Sequence, residues 1–394
     1  MKTSAQNVGS PGLHGLASSS AVSGLYSEAM GSVFSERVAR LAASLAEAGV
    51  DAYITQDPVS MGYLHGYSEH AGERFMALCI SPTGAVRMIC PALSESQARR
   101  AGFEDVRTWK DGEDPMVLFA DLSSDWDLES GIIAVDPTLP ARMLLKIQHD
   151  LVAALFRDGE SFLSDLMRVK GPDELDLLKR AGKIADDAFD EVLPQIKAGL
   201  TEKQVEKLLV DAMVKRGGEP YFCIVGAGAN GAEPHHMTDE TPLKDGDVVI
   251  LDFGCDLQGY KSDITRTIAI GKASPRAHEM YDLVFRAHMA GRKQSGPGVE
   301  ARSVDAAARA VIESAGVGDA FFHRLGHGIG MQGHEAPYIN GQNEEILAPG
   351  NCFSIEPGVY FAGEFGIRIE NIVAVTESGH DSMNAEPSAT LIEV

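Results

Sequence analysis

The stretch from Asp247 to Ile270, DVVILDFGCDLQGYKSDITRTIAI, reads as two strands joined by a turn near Leu257-Gln258-Gly259. Asp252 and Asp263 lie symmetrically about that turn and are expected to face each other across an antiparallel hairpin. A second stretch from Cys352 to Val375, CFSIEPGVYFAGEFGIRIENIVAV, repeats the pattern about Ala362-Gly363-Glu364, with Glu356 and Glu370 as the symmetric pair. Like charges directly opposite are destabilising, more so beside apolar runs such as Val248 to Leu251 or Ile367 to Val373. Divalent cations would compensate them. The plainer alternative is four unrelated surface acids mirrored about two turns. It is disfavoured because Glu356 follows Asp252 by 104 residues, close to the period of a wider repeat.

That repeat is visible on either side. Pro172 opens a helix with Leu175, Leu178, Ala181, Ala185, Ala188 and Val192 on one face, and Pro275 opens another 103 positions later. Thr201 and Gln204 form a capping box before a second helix, and Ser303, 102 positions on, is the corresponding cap. Strand runs at Tyr221 to Val225 and Val248 to Phe253 match those around Phe353 and Ile369. A two-fold repeat of helix, helix and hairpin follows, with a site between its halves.

Upstream, a helix from Ser35 to Ala48, a stop at Gly49 and a strand from Val50 to Thr55 begin a separate α/β domain. It continues with a hairpin of Phe75 to Ser81 and Ala85 to Cys90, a strand from Gly131 to Val135, and a helix from Leu144 to Phe156. The expected division is a flexible arm over residues 1–30, an N-terminal domain over 31–165, and the repeat-built domain over 166–394.

The chain has 394 residues, enough for one or two compact domains with sizeable cores. Lysine and arginine total 34 against 57 aspartates and glutamates, and the net charge of −23 disfavours nucleic acid as a partner. No run approaches the roughly 18 apolar residues of a membrane span, and the opening segment lacks an export signal. Five cysteines without a CxxC pair suit reduced thiols, so a cytoplasmic location is expected.

Gly326-His327-Gly328-Ile329-Gly330 places an imidazole on backbone that can approach a ligand closely, and His327 becomes the fifth candidate ligand beside the four acids. An oxygen-rich set with one nitrogen suits Mn²⁺, Co²⁺, Fe²⁺ or Zn²⁺ better than Ca²⁺. Two such ions, bridged by a carboxylate and a hydroxide, would make a hydrolase centre. Gly226 to Gly231 matches GxGxxG, but Pro234, Pro242 and the lack of apolar periodicity leave no helix for a pyrophosphate. His334-Glu335-Ala336-Pro337 begins like HExxH, yet Tyr338 replaces the second histidine and Pro337 breaks the helix that motif requires.

Taken together these residues resemble the pita-bread metallopeptidases, the family of methionine aminopeptidase, Xaa-Pro aminopeptidase and Xaa-Pro dipeptidase (prolidase). The pieces are Leu251 to Gly254 leading to Ser262 to Thr267, then Gly326 to Gly330, Ile355-Glu356-Pro357-Gly358 and Gly366 to Asn371. The resemblance implies a creatinase-type α/β N-terminal domain and an α+β pita-bread catalytic domain with the internal two-fold repeat. It implies two divalent ions, Mn²⁺ foremost, held by Asp252, Asp263, His327, Glu356 and Glu370, with Asp263 and Glu370 touching both. It also assigns His235 and His334 to substrate handling and Arg368 to the site, whereas His236 reads as an ordinary polar loop residue.

A metal-bridging hydroxide would attack the scissile carbonyl, with His334 steadying the oxyanion and Glu356 relaying the proton to the leaving nitrogen. His235 and Arg368 would hold the proline end. Phe222 to Val225, Pro234-His235 and the compact N-terminal domain with Gly72-Glu73-Arg74 look like the shorter bacterial prolidases, which favours dipeptide substrates. Xaa-Pro aminopeptidase action on longer peptides is the alternative. A creatinase-like C–N hydrolase or lyase, or a binding module that has lost catalysis, fits less well because all five ligand positions are intact. Family habit adds a homodimer.

Overall fold

The computed structural model describes residues 22–394, with side chains from Ser32 onward. Residues 1–21 of the expected arm therefore lie outside the described residues. The first helix, α1 (Val22–Ala48), begins well before the Ser35 start read from the sequence.

The N-terminal part is a mixed sheet with helices on both faces. Its strands are β1 (Ala52–Thr55), β2 (Ala77–Ile80), β3 (Val86–Pro91), β4 (Val106–Trp109), β5 (Ile132–Val135) and β6 (Leu155–Asp158). Helices α2 (Pro58–His65), α3 (Glu95–Arg100), α4 (Met116–Asp125), α5 (Ala141–Asp150) and α6 (Glu160–Met167) accompany them. The strand order is β4-β3-β2-β1-β5-β6. β1 is buried throughout because both faces are covered: Tyr53 joins one core, while Ala52 and Ile54 join the other. The helix expected from Leu144 to Phe156 divides. α5 stops at Asp150, and Leu155 and Phe156 pair with Ile132 and Ile133 in the edge strand β6. The backbone pairing offered by β5 overrides a helical reading of that apolar run.

The second part carries the repeat. Its first half contains α7 (Pro172–Val192), α8 (Glu202–Lys215), β7 (Glu219–Ala227), β8 (Val248–Leu257), β9 (Tyr260–Lys261) and β10 (Ile264–Ala269). The second contains α9 (Pro275–Gln294), α10 (Ala301–Ser314), β11 (Gly326–Gly328), β12 (Glu335–Ile339), β13 (Cys352–Ile355), β14 (Gly358–Phe361), β15 (Phe365–Arg368), β16 (Asn371–Val375) and β17 (His380–Ser382). The C-terminal β18 (Ile392–Glu393) returns to pair with β10 in the first half. The sheets run β18-β10-β8-β7 and β12-β11-β13-β16-β17, with β14-β15 as a separate ribbon. α7 and α8 share a core with the first sheet, and α9 and α10 share one with the second. α10 starts two residues before Ser303, with Glu300 at its N-cap. Glu300 bridges to Ile346 as Thr201 bridges to Pro242, so Glu300 rather than Ser303 is the counterpart of Thr201.

Candidate metal centre

The first hairpin turns on Gln258 and Gly259, both with positive φ (55° and 91°), so Leu257 pairs with Tyr260. This two-residue turn fits the right-handed twist of the flanking strands. It sits a little later than the sequence reading placed it, and the register shifts accordingly: Asp252 pairs with Thr265. Asp252 and Asp263 are therefore not directly opposed, and Asp263 lies two residues from Thr265 on the same face. At Gly254 a Cβ would come within 1.9 Å of the Ser262 carbonyl oxygen, so only glycine allows the strands to approach there.

The second hairpin has a three-residue loop, Ala362 to Glu364, closed by the Phe361 and Phe365 pair. The ladders on either side, Gly358 with Arg368 and Ile355 with Asn371, share one register that places Glu356 opposite Glu370. Pro357 interrupts the pairing at that point, and the two glutamates face the first hairpin from the gap. Glu370 donates its backbone N–H to the Thr265 carbonyl (3.1 Å), and the Arg266 guanidinium donates to the Glu370 carbonyl (2.6 Å). The halves of the repeat are thus joined at the acids themselves.

His327 enters on β11, flanked by glycines. A Cβ on Gly326 would come within 1.9 Å of the Ser354 carbonyl oxygen. The imidazole Nδ1 lies 3.1 Å from the Gly328 carbonyl, which fixes its proton there and leaves Nε2 as a lone pair. That lone pair is 3.4 Å from Glu356 Oε1 and 3.7 Å from Asp263 Oδ2. Three acceptors converge there, and Glu356 Oε1 also accepts from the Ser354 hydroxyl (3.1 Å). Glu370 Oε1 is buried without a hydrogen-bond partner among the described residues. Potential ligand atoms of Asp252, Asp263 and Glu370, and of His327, Glu356 and Glu370, each lie within 4.8 Å of one another. Convergent acceptors with an orphaned buried oxygen are what a divalent cation requires, and the residues fit one.

Crowding and burial set the charge state of the metal-free site. Burial, then the Glu370 and Asp252 charges, raise the Asp263 carboxyl well above the usual range. Burial, then Glu356 and Asp252, do the same to Glu370. Burial pushes Glu356 up to about 7. Burial, followed by His334, pushes His327 down to about 3, which keeps it a neutral ligand.

The site opens into a cavity of about 750 Å³ lined by all five candidate ligands and by His235, His334 and Arg368. His235 and His334 are exposed to it, and the His334 ring lies 3.8 Å from that of His327. Arg368, expected at the proline end, lines the same cavity. It is 3% exposed, and each of its nitrogens is engaged: Nη2 with Asp252 Oδ2 (2.6 Å), Nη1 with the Tyr360 hydroxyl (2.9 Å) and Nε with Thr265 Oγ1 (3.1 Å). It anchors a candidate ligand.

Two residues escaped the sequence reading. Thr265 Oγ1 lies 3.0 Å from Asp252 Oδ1 and 2.7 Å from Glu370 Oε2, tying both carboxylates to one hydroxyl. Its position in Asp263-Ile264-Thr265, on the ligand face of the strand, was the available signal. Glu202, fully buried at the start of α8, accepts from Ala227 N (2.8 Å), Asn230 Nδ2 (2.9 Å) and Asp239 N (3.2 Å) and bonds His236 Nε2 (2.7 Å). His236 thus has the loop role expected of it, holding the segment that presents His235. No local pattern marks Glu202, because its partners come from the loop after β7.

Residues 176–377 match Metallopeptidase family M24, and residues 37–168 match the Creatinase/Prolidase N-terminal domain. The chain is 37% identical over 367 residues to a probable dipeptidase PepE of Mycobacterium tuberculosis, covering 91% of this chain and 96% of that one. It is 35% identical over 334 residues to an Xaa-Pro dipeptidase of Lactobacillus helveticus, covering 83% and 90%. A prolidase from Thermococcus sibiricus superposes with a TM-score of 0.88 at 30% identity, covering 92% of this chain and 99% of that one. With its acids and histidine gathered on a two-fold repeat and a creatinase-type domain ahead of it, the chain belongs to metallopeptidase family M24.

Proposed function

We propose that this peptidase hydrolyses the imide bond of Xaa-Pro dipeptides with Asp252, Asp263, His327, Glu356 and Glu370 holding two divalent ions. The observation that carries the reading is the convergence of the His327 lone pair, Glu356 and Asp263 with the orphaned Glu370 oxygen. When bound, the ions would polarise the scissile carbonyl and acidify the attacking water.

The chain's own groups do the rest. Glu356 takes a proton from the water and passes it to the leaving nitrogen. Arg324 Nη2 donates to His334 Nδ1 at 3.3 Å, so the His334 proton sits on Nε2 and is free to donate to the developing oxyanion. His235, presented by the loop that Glu202 pins, positions the proline end. Proline offers no N–H, so its ring needs an apolar wall, which Phe222, Ile224 and Phe322 provide.

The same reading takes Mn²⁺ as the ion, a homodimer as the assembly and the cytoplasm as the location. It divides the chain into an arm (1–30), a creatinase-type domain (31–165) and the catalytic domain (166–394). Five free cysteines support a reducing compartment, and no helix among the described residues is long and apolar enough to cross a membrane.

The test is incubation of Mn²⁺-loaded protein with Ala-Pro and with Ala-Pro-Ala, with products followed by chromatography. Cleavage of the dipeptide is expected. Cleavage of the tripeptide alone would make the enzyme an Xaa-Pro aminopeptidase, and cleavage of neither would reopen the reaction class. A protein that purifies and stays without stoichiometric metal would point to a binding module.

A further inference from the structure

His334 stands at the end of the loop that leaves β11 after His327 and returns as β12. Gly330 and Gly333 make the backbone of that loop permissive, so it fixes the imidazole poorly by itself. The residues on either side of His334 fix it instead. Tyr221 closes on Gly333, where a Cβ would overlap the tyrosine hydroxyl. Side chains alternate along an extended chain, so Glu335 turns away from the cavity into the interior, where it pairs with Lys170.

That pair is sealed, with the Lys170 and Glu335 side chains 1% and 5% exposed. Burial raises the Glu335 carboxyl, and the Lys170 charge opposes the rise. Glu335 Oε2 also accepts from Gln332 N (3.3 Å). A Cβ on Gly330 would come within 2.8 Å of Glu335 Oε1 and 2.9 Å of Lys170 Cε, so the loop is folded tightly over the pair. Lys170 itself lies in the connector between the two matched regions, residues 37–168 and 176–377. Its backbone N–H donates to the Gly350 carbonyl (2.9 Å), and Asn351 Nδ2 donates to the Arg168 carbonyl (3.0 Å), which docks the connector on the turn before β13. Desolvation offsets most of the attraction in a buried ion pair, so it contributes little net stability. What it imposes is geometry, because a misplaced member leaves a buried charge unpaired.

We propose, resting on the reading above that His334 steadies the oxyanion, that the buried Lys170–Glu335 pair is the positioning device for His334. Neither residue lines the cavity, so both act through the loop. The connector between the domains thereby sets the competence of the site.

The experiment uses Lys170→Met/Glu335→Gln, which removes the pair without leaving a buried charge unmatched. On the Mn²⁺-loaded protein, kcat for Ala-Pro is expected to fall on the order of 10- to 100-fold with KM changed less than about threefold, because an oxyanion donor acts in the transition state. In a His334→Ala background the same double substitution should leave the remaining rate within about twofold, since no imidazole is left to position. A full further fall in that background would show a general structural role and overturn the proposal, as would an undiminished kcat in the double variant. Calorimetric Mn²⁺ affinity is expected to stay within about threefold of native; a larger loss would place the pair beneath the ligand cluster rather than beneath His334, and so overturn the proposal. A crystal structure of the double variant reads the geometry without turnover. Displacement or disorder of the His334 ring at its 3.8 Å contact with His327 supports the proposal even if the native protein cleaves no peptide, which would instead defeat the reaction assignment. A ring in its native place overturns it. Glu335→Gln alone carries the same expectations should the double variant fail to fold.

Discussion

At the scale of single residues, the centre is a balance of repulsion held in check by protons or cations. Asp263 and Glu370 have folded pKa values well above their unfolded ones, and Glu356 is raised to about 7 from 4.5. Between those limits the native state binds more protons than the unfolded chain, so this contribution to stability is present at low pH and lost as pH rises, for Glu356 through about 7. A cation takes over from the protons. Mn²⁺ binding at pH 6.5 should therefore release at least about one proton per chain; calorimetry in buffers of different ionisation enthalpy measures it, and no release would contradict the crowded-acid account. Asp263→Asn removes one of the repelling charges. The metal-free variant is expected to melt no lower than the native protein at pH 7.5, to lose most of the Mn²⁺-induced rise in Tm, and to show no turnover. Full activity would exclude Asp263 as a ligand.

At the scale of elements, glycines and one buried acid place the candidate ligands and the His235 loop. The Gly326→Ala methyl would collide with the Ser354 carbonyl oxygen, so the variant should lose about 1–3 kcal/mol and displace His327; denaturant melts and metal affinity report the two effects. Glu202→Gln replaces an acceptor of backbone and imidazole N–H groups by an amide that cannot accept at both ends. A stability loss of about 1–3 kcal/mol is expected, with a rise in KM as the His235 loop loosens. An unaltered KM would remove Glu202 from the site's support. The second hairpin was legible in sequence because its odd-numbered loop centres on Gly363, which fixes Glu356 opposite Glu370. The first was misplaced because a Gln258-Gly259 turn looks, in sequence, like a turn starting at Leu257. The strand parity survived the error, which is why Asp263 still belongs to the cluster.

At the scale of the whole molecule, the N-terminal domain supports the site from behind, since no described cavity-lining residue precedes Tyr221. Arg37 of α1 donates to the Tyr63 carbonyl (2.9 Å) and the Tyr260 hydroxyl (3.1 Å) and pairs with Glu174 of α7 at 3.0 Å. Lys170, between the domains, is paired with buried Glu335 next to His334. Arg37→Ala leaves Glu174 short of its charge partner and is expected to cost about 3 kcal/mol. Combined with Glu174→Gln the loss should shrink, and strict additivity in the double-mutant cycle would show that the pair does not couple the domains. The amino-acid sequence by itself determined the repeat, the candidate ligand residues and their sharing of a face, because strand parity, turn residues and apolar runs are local properties. Only the tertiary structure decided which cation neutralises Asp252 and which acid holds the His235 loop. Those outcomes depend on pairing between side chains well apart in the chain, Arg368 with Asp252 across 116 positions and Glu202 with His236 across 34, and nothing in local spacing encodes which partners meet.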